Sequence, residues 1–371
     1  MTAVLNNNDN INETILYMAL ELSNKTWRLG FGQGKKVRQV TIESGNWSDL
    51  TSAIKTARSK LSLPTDCRTV SCYEAGRDGF WIHRRLGEQG VENIIIDSSS
   101  IEVNRRKRRA KTDAIDVKAM LRLLQRYLGG EEGVMSVVRV PTEQEEDQRR
   151  LSRERDRLIK ERGAHSSRIK SLLVLHGLHV SINKGFALWL SKQTQLGDDL
   201  SAEIGREYER YCLTDEQITH LQVIQRQRVA EATSGALRQV QRLLLLKGVG
   251  WQSSWPLVME FFAWRAFRNR REVGACAGLT PTPYDSGDSR REQGICKAGN
   301  KKIRCLMVEL SWLWLRYQPD STLSQGYQRR FAEGGKRQRR IGIVAMARKL
   351  LVALWRYVEH GVLPEGAVLS P

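Results

Sequence analysis

A chain of 371 residues with 40% apolar and 27% charged side chains can bury two cores and is too apolar for a disordered polymer. Its 60 lysines and arginines against 41 acids leave a net charge of +19, the balance of a protein that meets a polyanion. No run of about 18 apolar residues occurs, which argues against a membrane-spanning helix. No basic-then-apolar leader is present, so a cytoplasmic, nucleoid-associated location is expected.

The polar start, MTAVLNNNDNINET (residues 1–14), reads as disordered. ILYMALEL, TWRLGF and VRQVTIES, separated by turn residues such as GQGKK, predict an antiparallel meander of three strands. A helix is expected over 46–61, with Leu50, Ile54, Ala57 and Leu61 on one face. RTVSCYE (68–74) and VENIIID (91–97) read as strands, with a helix between them over 79–90. Another helix is expected from about Thr112 to Tyr127. Residues 15–135 therefore form an α/β domain.

After Pro141 the composition changes. Thr142 and Glu145 have the spacing of a capping box at the start of a long, highly charged helix. Its apolar stripe is Leu151, Leu158, Ile169 and Leu172 or Leu173. A second helical stretch covers about 201–246, with a break expected near Cys212-Leu213-Thr214. Narrow stripes on two long helices fit a coiled coil, between chains or antiparallel, and equally a solvated hairpin within one chain over 141–240. Residues 241–362 are again helical and contain most of the tryptophans. LLLLKGVGWQSSW has the form of a helix-hairpin-helix, in which Gly248 and Gly250 would let backbone N–H groups approach a phosphate. The cysteines Cys67, Cys72, Cys212, Cys276, Cys296 and Cys305 show no CxxC spacing, which predicts reduced, mostly buried thiols and no zinc site.

Two stretches carry candidate chemistry. NRRKRRAKTDAID (104–116) places Arg105, Arg106, Lys107, Arg108, Arg109 and Lys111 directly before Asp113 and Asp116. The two aspartates are i, i+3 and share a helix face. With Glu21 and Glu74 at the ends of two strands, they make the all-oxygen set that Mg²⁺ prefers. Acids at such places also serve as caps, and spacing alone leaves both roles open. The second stretch, GLTPTPYDSGDSRREQGICKAGNKKIR (278–304), reads as a Gly-rich loop. It carries Ser286 and Ser289 among Arg290, Arg291, Lys297, Lys301 and Arg304. Residue types alone make it a phosphate-binding loop.

YMALE (17–21), CYEAGRDGFW (72–81) and KTDAIDVKAM (111–120) resemble the three motif blocks of DEDD-type insertion-sequence transposases of family 110, 1111 subgroup. LLLLKGVGWQSS, ACAGLTPTPYDSGDSRREQGICKAGNKKIR and RIGIVAMARKLLVALW resemble that family's C-terminal transposase domain. The blocks keep the family's order from about residue 15 to 362. The resemblance implies an α/β plus α architecture: a RuvC-like, RNase H-fold domain, a coiled-coil linker, and a helical C-terminal domain with a catalytic serine. It assigns the Mg²⁺-binding tetrad to Glu21, Glu74, Asp113 and Asp116, and the nucleophile to Ser286. Glu21 departs from the family's usual Asp at that position. The implied activity is DNA recombination guided by a bridge RNA that pairs with target and donor DNA, in tetramers built from two dimers. The alternatives are a RuvC-type junction endonuclease that uses water, and a nucleic-acid-binding protein without catalysis.

Overall fold

Period-two patterning over residues 15–43 produces the expected meander of β1 (Ile15–Leu22), β2 (Thr26–Gln33) and β3 (Lys36–Glu43). The computed structural model describes residues 14–34, 36–97, 113–286 and 289–370, and the backbone alone for 283–286 and 289–293. It divides the chain into two units, 1–141 and 142–371.

In the first unit α1 (Trp47–Lys60) follows the meander, capped by Asn46, whose side-chain oxygen accepts from Asp49 N. Leu50, Ile54 and Ala57 form its buried face. The chain continues through β4 (Arg68–Glu74), α2 (Trp81–Glu88), β5 (Glu92–Ile96) and α3 (Asp113–Leu128). The sheet order is β3-β2-β1-β4-β5, with β1–β3 antiparallel and β4 and β5 parallel to β1. One face packs Leu16, Met18, Leu20 and Tyr73 with α1 and α2. The other packs Ala19, Val70 and Cys72 with Val117, Met120 and Leu121 of α3. Burial pushes the Cys72 thiol pKa far up, so it stays protonated within this layer.

Close packing of α3 depends on two glycines in β2. A Cβ at Gly30 would lie 2.2 Å from Val117 Cγ1, and one at Gly32 would lie 2.8 Å from Leu121 Cδ2. Valine has little χ1 freedom in a helix and cannot swing away cheaply. Gly30→Ala is expected to destabilise the protein by about 1–3 kcal/mol, the usual overpacking cost. In a Val117→Ala background the same change costs little. Urea unfolding of the four variants checks this, and equal costs in both backgrounds would refute the contact.

The second unit begins with the predicted capping box: Glu145 N donates to Thr142 Oγ1, and Thr142 N to Glu145 Oε2. The box opens only a short helix, α4 (Glu143–Asp147), followed by α5 (Arg150–Val174). Then come α6 (Phe186–Leu190) and α7 (Asp198–Glu231). α5 and α7 pair within the chain as an antiparallel hairpin. Leu158 meets Ile218 and Leu221 near its base, and Ile169 and Leu173 share a cluster with Ile204 further out. The expected break at 212–214 is absent. Thr214 lies inside α7, its hydroxyl satisfied by donating to Arg210 O and Tyr211 O. The helix ends instead at Ala232, in the left-handed region at φ 43°, and Ser234 caps α8 (Gly235–Leu244).

The remaining helices are α9 (Trp251–Leu257), α10 (Arg270–Cys276), α11 (Lys301–Tyr317), α12 (Thr322–Tyr327) and α13 (Lys336–His360). They surround a core that includes Trp255, Phe261, Trp314 and Leu350. Between α10 and α11 stand β6 (Pro281–Ser286) and β7 (Ser289–Ile295). Among the described residues, no helix is long and apolar enough to cross a membrane. The thiols are less buried than expected. Cys67 and Cys72 are buried and Cys276 is half-buried, whereas Cys212, Cys296 and Cys305 are exposed because they fall on solvent-facing positions of α7, the segment after β7 and α11.

A carboxylate locks α5 to the helical body. Buried Glu260, in a π-helical turn (Val258–Phe262), accepts two hydrogen bonds from Arg153 at 2.8 and 2.7 Å. Lys302 Nζ lies 3.8 Å away. Burial pushes the Glu260 carboxyl up, but the Arg153 bonds and the neighbouring cations outweigh it and hold it below the ordinary range. A carboxylate with a lowered folded pKa stabilises fully above its unfolded pKa of about 4.3 and loses that contribution as pH falls. Arg153→Gln is therefore expected to cost about 1–3 kcal/mol at neutral pH. The cost should shrink towards pH 3, as read by thermal unfolding across pH.

Candidate active site

Strand alternation decides where the two glutamates point. Ala19 and the partly buried Ile15 and Tyr17 belong to the α3 side of the sheet, and Glu21 continues that series. On β4, Val70 and Cys72 face α3, and Glu74 continues theirs. Leu20 lies opposite Tyr73 across the parallel pair, so Glu21 and Glu74 end adjacent strands on the same face. Glu21 is half-buried and Glu74 is exposed.

α3 runs back along this face. Val117 covers Gly30 and Leu121 covers Gly32, which pair with Ala19 and Tyr17 of β1. Asp113, one turn before Val117, and Asp116 therefore occupy the helix end nearest the ends of β1 and β4. Asp113 is exposed and Asp116 half-buried. The four acids thus come to one edge of one face, although among the described residues no three of the His, Cys, Asp and Glu side chains are grouped closely enough to hold a metal ion. The donor chemistry, carboxylate oxygen throughout, suits Mg²⁺.

Two residues that sequence reasoning passed over tie this edge together. Arg28, opposite Glu21 on β2, donates from Nε to Gln39 Oε1 at 3.2 Å. Gln39 donates in turn to Ala114 O at 2.9 Å, reaching the first turn of α3 from β3. Both fall on the α3 face by the same alternation as Gly30 and Gly32. That parity is visible in the sequence once the strand register is known.

The basic run Arg105, Arg106, Lys107, Arg108, Arg109 and Lys111 lies outside the described residues. In the second unit the serine segment forms a β-hairpin where a loop was expected. Ser286 of β6 pairs with Ser289 of β7, and Tyr284 with Arg291. Two extended runs around the two-residue link Gly287-Asp288 are a hairpin signal. The side chains of Ser286, Arg290 and Arg291 lie outside the described set. Lys297 follows the hairpin at φ 59°, and Lys301 is exposed at the start of α11. Arg304 is held by the chain itself. Its guanidinium donates to Ala277 O and Lys297 O, tying the segment after the hairpin to the end of α10.

Gly248 and Gly250 flank the turn between α8 and α9, but they differ. Gly248 has φ +87°, and a Cβ there would meet Tyr317 Cβ at 2.8 Å. Its Cα thus packs against a ring. Gly250, with φ −101°, has open space where a Cβ would go. Gly248→Ala is expected to cost about 1–2 kcal/mol from the left-handed backbone alone, and Gly250→Ala much less. Melting temperatures of the two variants compare them directly.

The family profile described as Transposase IS116/IS110/IS902 matches residues 240–328. The Sinorhizobium fredii protein y4rJ, named as a transposase, is 39% identical over 96% of this chain and 94% of its own length. That extent decides the family. The chain belongs to the IS116/IS110/IS902 transposase family. Transposases of the insertion sequence elements IS1328 from Yersinia enterocolitica and IS1111A from Coxiella burnetii are each 25% identical. Their matches cover 56% and 51% of this chain, and 59% and 52% of their own lengths. As an insertion-sequence transposase the chain acts on DNA, in keeping with its +19 charge.

Proposed function

We propose that this transposase cuts and rejoins DNA through a covalent phosphoserine formed at Ser286, guided by a bridge RNA that pairs with target and donor DNA. The observation that carries the catalytic part is the alternation that aligns Glu21 and Glu74 on one sheet face, at the edge where α3 begins with Asp113 and Asp116. Strand order β3-β2-β1-β4-β5, with three antiparallel strands followed by two parallel to the first, supports a RuvC-like reading of the first unit.

In this mechanism Glu21, Glu74, Asp113 and Asp116 would be the residues that hold Mg²⁺, which would supply positive charge to the attacked phosphate. The hydroxyl oxygen of Ser286 forms the new bond to phosphorus as the bond to one bridging DNA oxygen breaks. The serine proton leaves to solvent and the departing oxygen takes one up. A second DNA hydroxyl reverses the exchange, which conserves the number of phosphodiester bonds. Arg290 and Arg291 on β7 and the 105–111 run supply cations for the phosphate chain. The active assembly is a tetramer of two dimers, with each site combining the acids of one subunit and the serine of another.

The test incubates protein, Mg²⁺, DNA carrying the element's end and the flanking RNA, then separates products in denaturant. Wild type is expected to yield a protein–DNA adduct. Ser286→Ala yields none yet binds DNA as before, and Asp113→Asn lowers adduct formation by at least about 100-fold. Cut ends without adduct from Ser286→Ala would make water the nucleophile and the protein a junction endonuclease. Unchanged behaviour of Asp113→Asn would remove the metal role.

A further inference from the structure

α13 carries seven lysines and arginines and one glutamate. Its first turn holds cations and no acid, against the preference of a helix N-terminus for negative charge. Such local conflicts concentrate at functional sites. The helix walls a groove of about 970 Å³ shared with α10 and the base of the β6–β7 hairpin. Arg270 and Arg271 of α10 line it, with Lys297 after the hairpin. α13 adds Arg337, Arg340, Arg348, Lys349 and Arg356. Among the described residues no carboxylate lines the groove, and none of these eight cations forms an ion pair with a described acid. The Arg348 side chain packs close over Gly274 of α10, where an added Cβ would sit 3.1 Å from Nε.

Between the cations the floor is apolar, from Leu279, Ile295, Leu323, Val344 and Val352, with Ile341 half-exposed at the side. A ligand that fits must offer regularly spaced negative charge together with apolar faces. Duplex DNA presents phosphates outward and hides its base faces in the stack, so it would cover the rim and leave the floor wet. An unpaired strand offers both. The groove is continuous with the hairpin that bears Ser286, since Pro281 of β6 and Gly294 and Ile295 of β7 line it.

We infer that the α10–α13 groove binds a single strand of DNA, with phosphates on the arginines and base faces on the aliphatic floor. The inference rests on the proposed cleavage reading only for where the strand leads, because binding is measured without cutting. Fluorescence anisotropy of the full chain with labelled oligothymidylate, its duplex with oligoadenylate, and oligouridylate of equal length tests it across salt concentration.

The double variant Arg340→Gln/Arg356→Gln, with melting temperature unchanged, is expected to bind oligothymidylate about tenfold more weakly. Its salt slope should fall by about 0.7 per arginine removed. Duplex binding should change much less. Ile341→Ser should weaken oligothymidylate without altering its salt slope. Unchanged oligothymidylate affinity, an equal loss on the duplex, or a loss confined to oligouridylate would overturn the inference. Adduct formation by Ser286→Ala with groove binding intact would sink the cleavage reading alone.

Discussion

Scarcity of negative charge governs this molecule. With 41 acids for 60 cations, every buried carboxylate must serve several partners. Glu260 takes both donors of Arg153 and lies near Lys302, itself 2.7 Å from Asp156. Glu207, buried in α7, receives Arg168 and Arg210 and stands 2.7 Å from His165 Nδ1. Burying an ion costs several kcal/mol unless partners surround it; Glu260 joins α5 to the helical body, and Glu207 joins α5 to α7 within the hairpin. The α13 groove receives no such compensation. Its charge is left for a ligand.

Much of the first unit was legible because its strands are short, alternate cleanly and are separated by turn residues. β1 and β4 fall on the residues that ILYMALEL and RTVSCYE indicate. Longer helices were harder to delimit. Thr214 satisfies its hydroxyl inside α7 and leaves no mark at the position where a break was expected. Ala232, which does end the helix, carries no sequence signal of a left-handed residue. The β6–β7 hairpin was obscured by its glycines, prolines and charges, which read as a loop until their pairing is seen.

The candidate acids could be picked from the sequence, but the reason they share an edge could not. That depends on strand register and on Gly30 and Gly32, which admit α3 close to the sheet. The roles of Arg28 and Gln39 depend on the same register. Cations were the least legible class. Arg304 serves the chain's own carbonyls and Lys302 an aspartate, while the arginines of α13 face an uncompensated groove. Composition gives the same value to all of them, and only their neighbours separate structural from ligand-facing charge.

α3 contributes two of the four acids, yet none of its residues is part of a strand. An apolar stripe and the Gln39 bond to Ala114 O hold its first half to the sheet. Detachment of that half would carry Asp113 and Asp116 away from Glu21 and Glu74 while the strand ladder stayed intact. Local openings of this kind need far less free energy than global unfolding. Two of the four acids at this edge therefore owe their place to helix packing and one hydrogen bond, and two to the strand ladder.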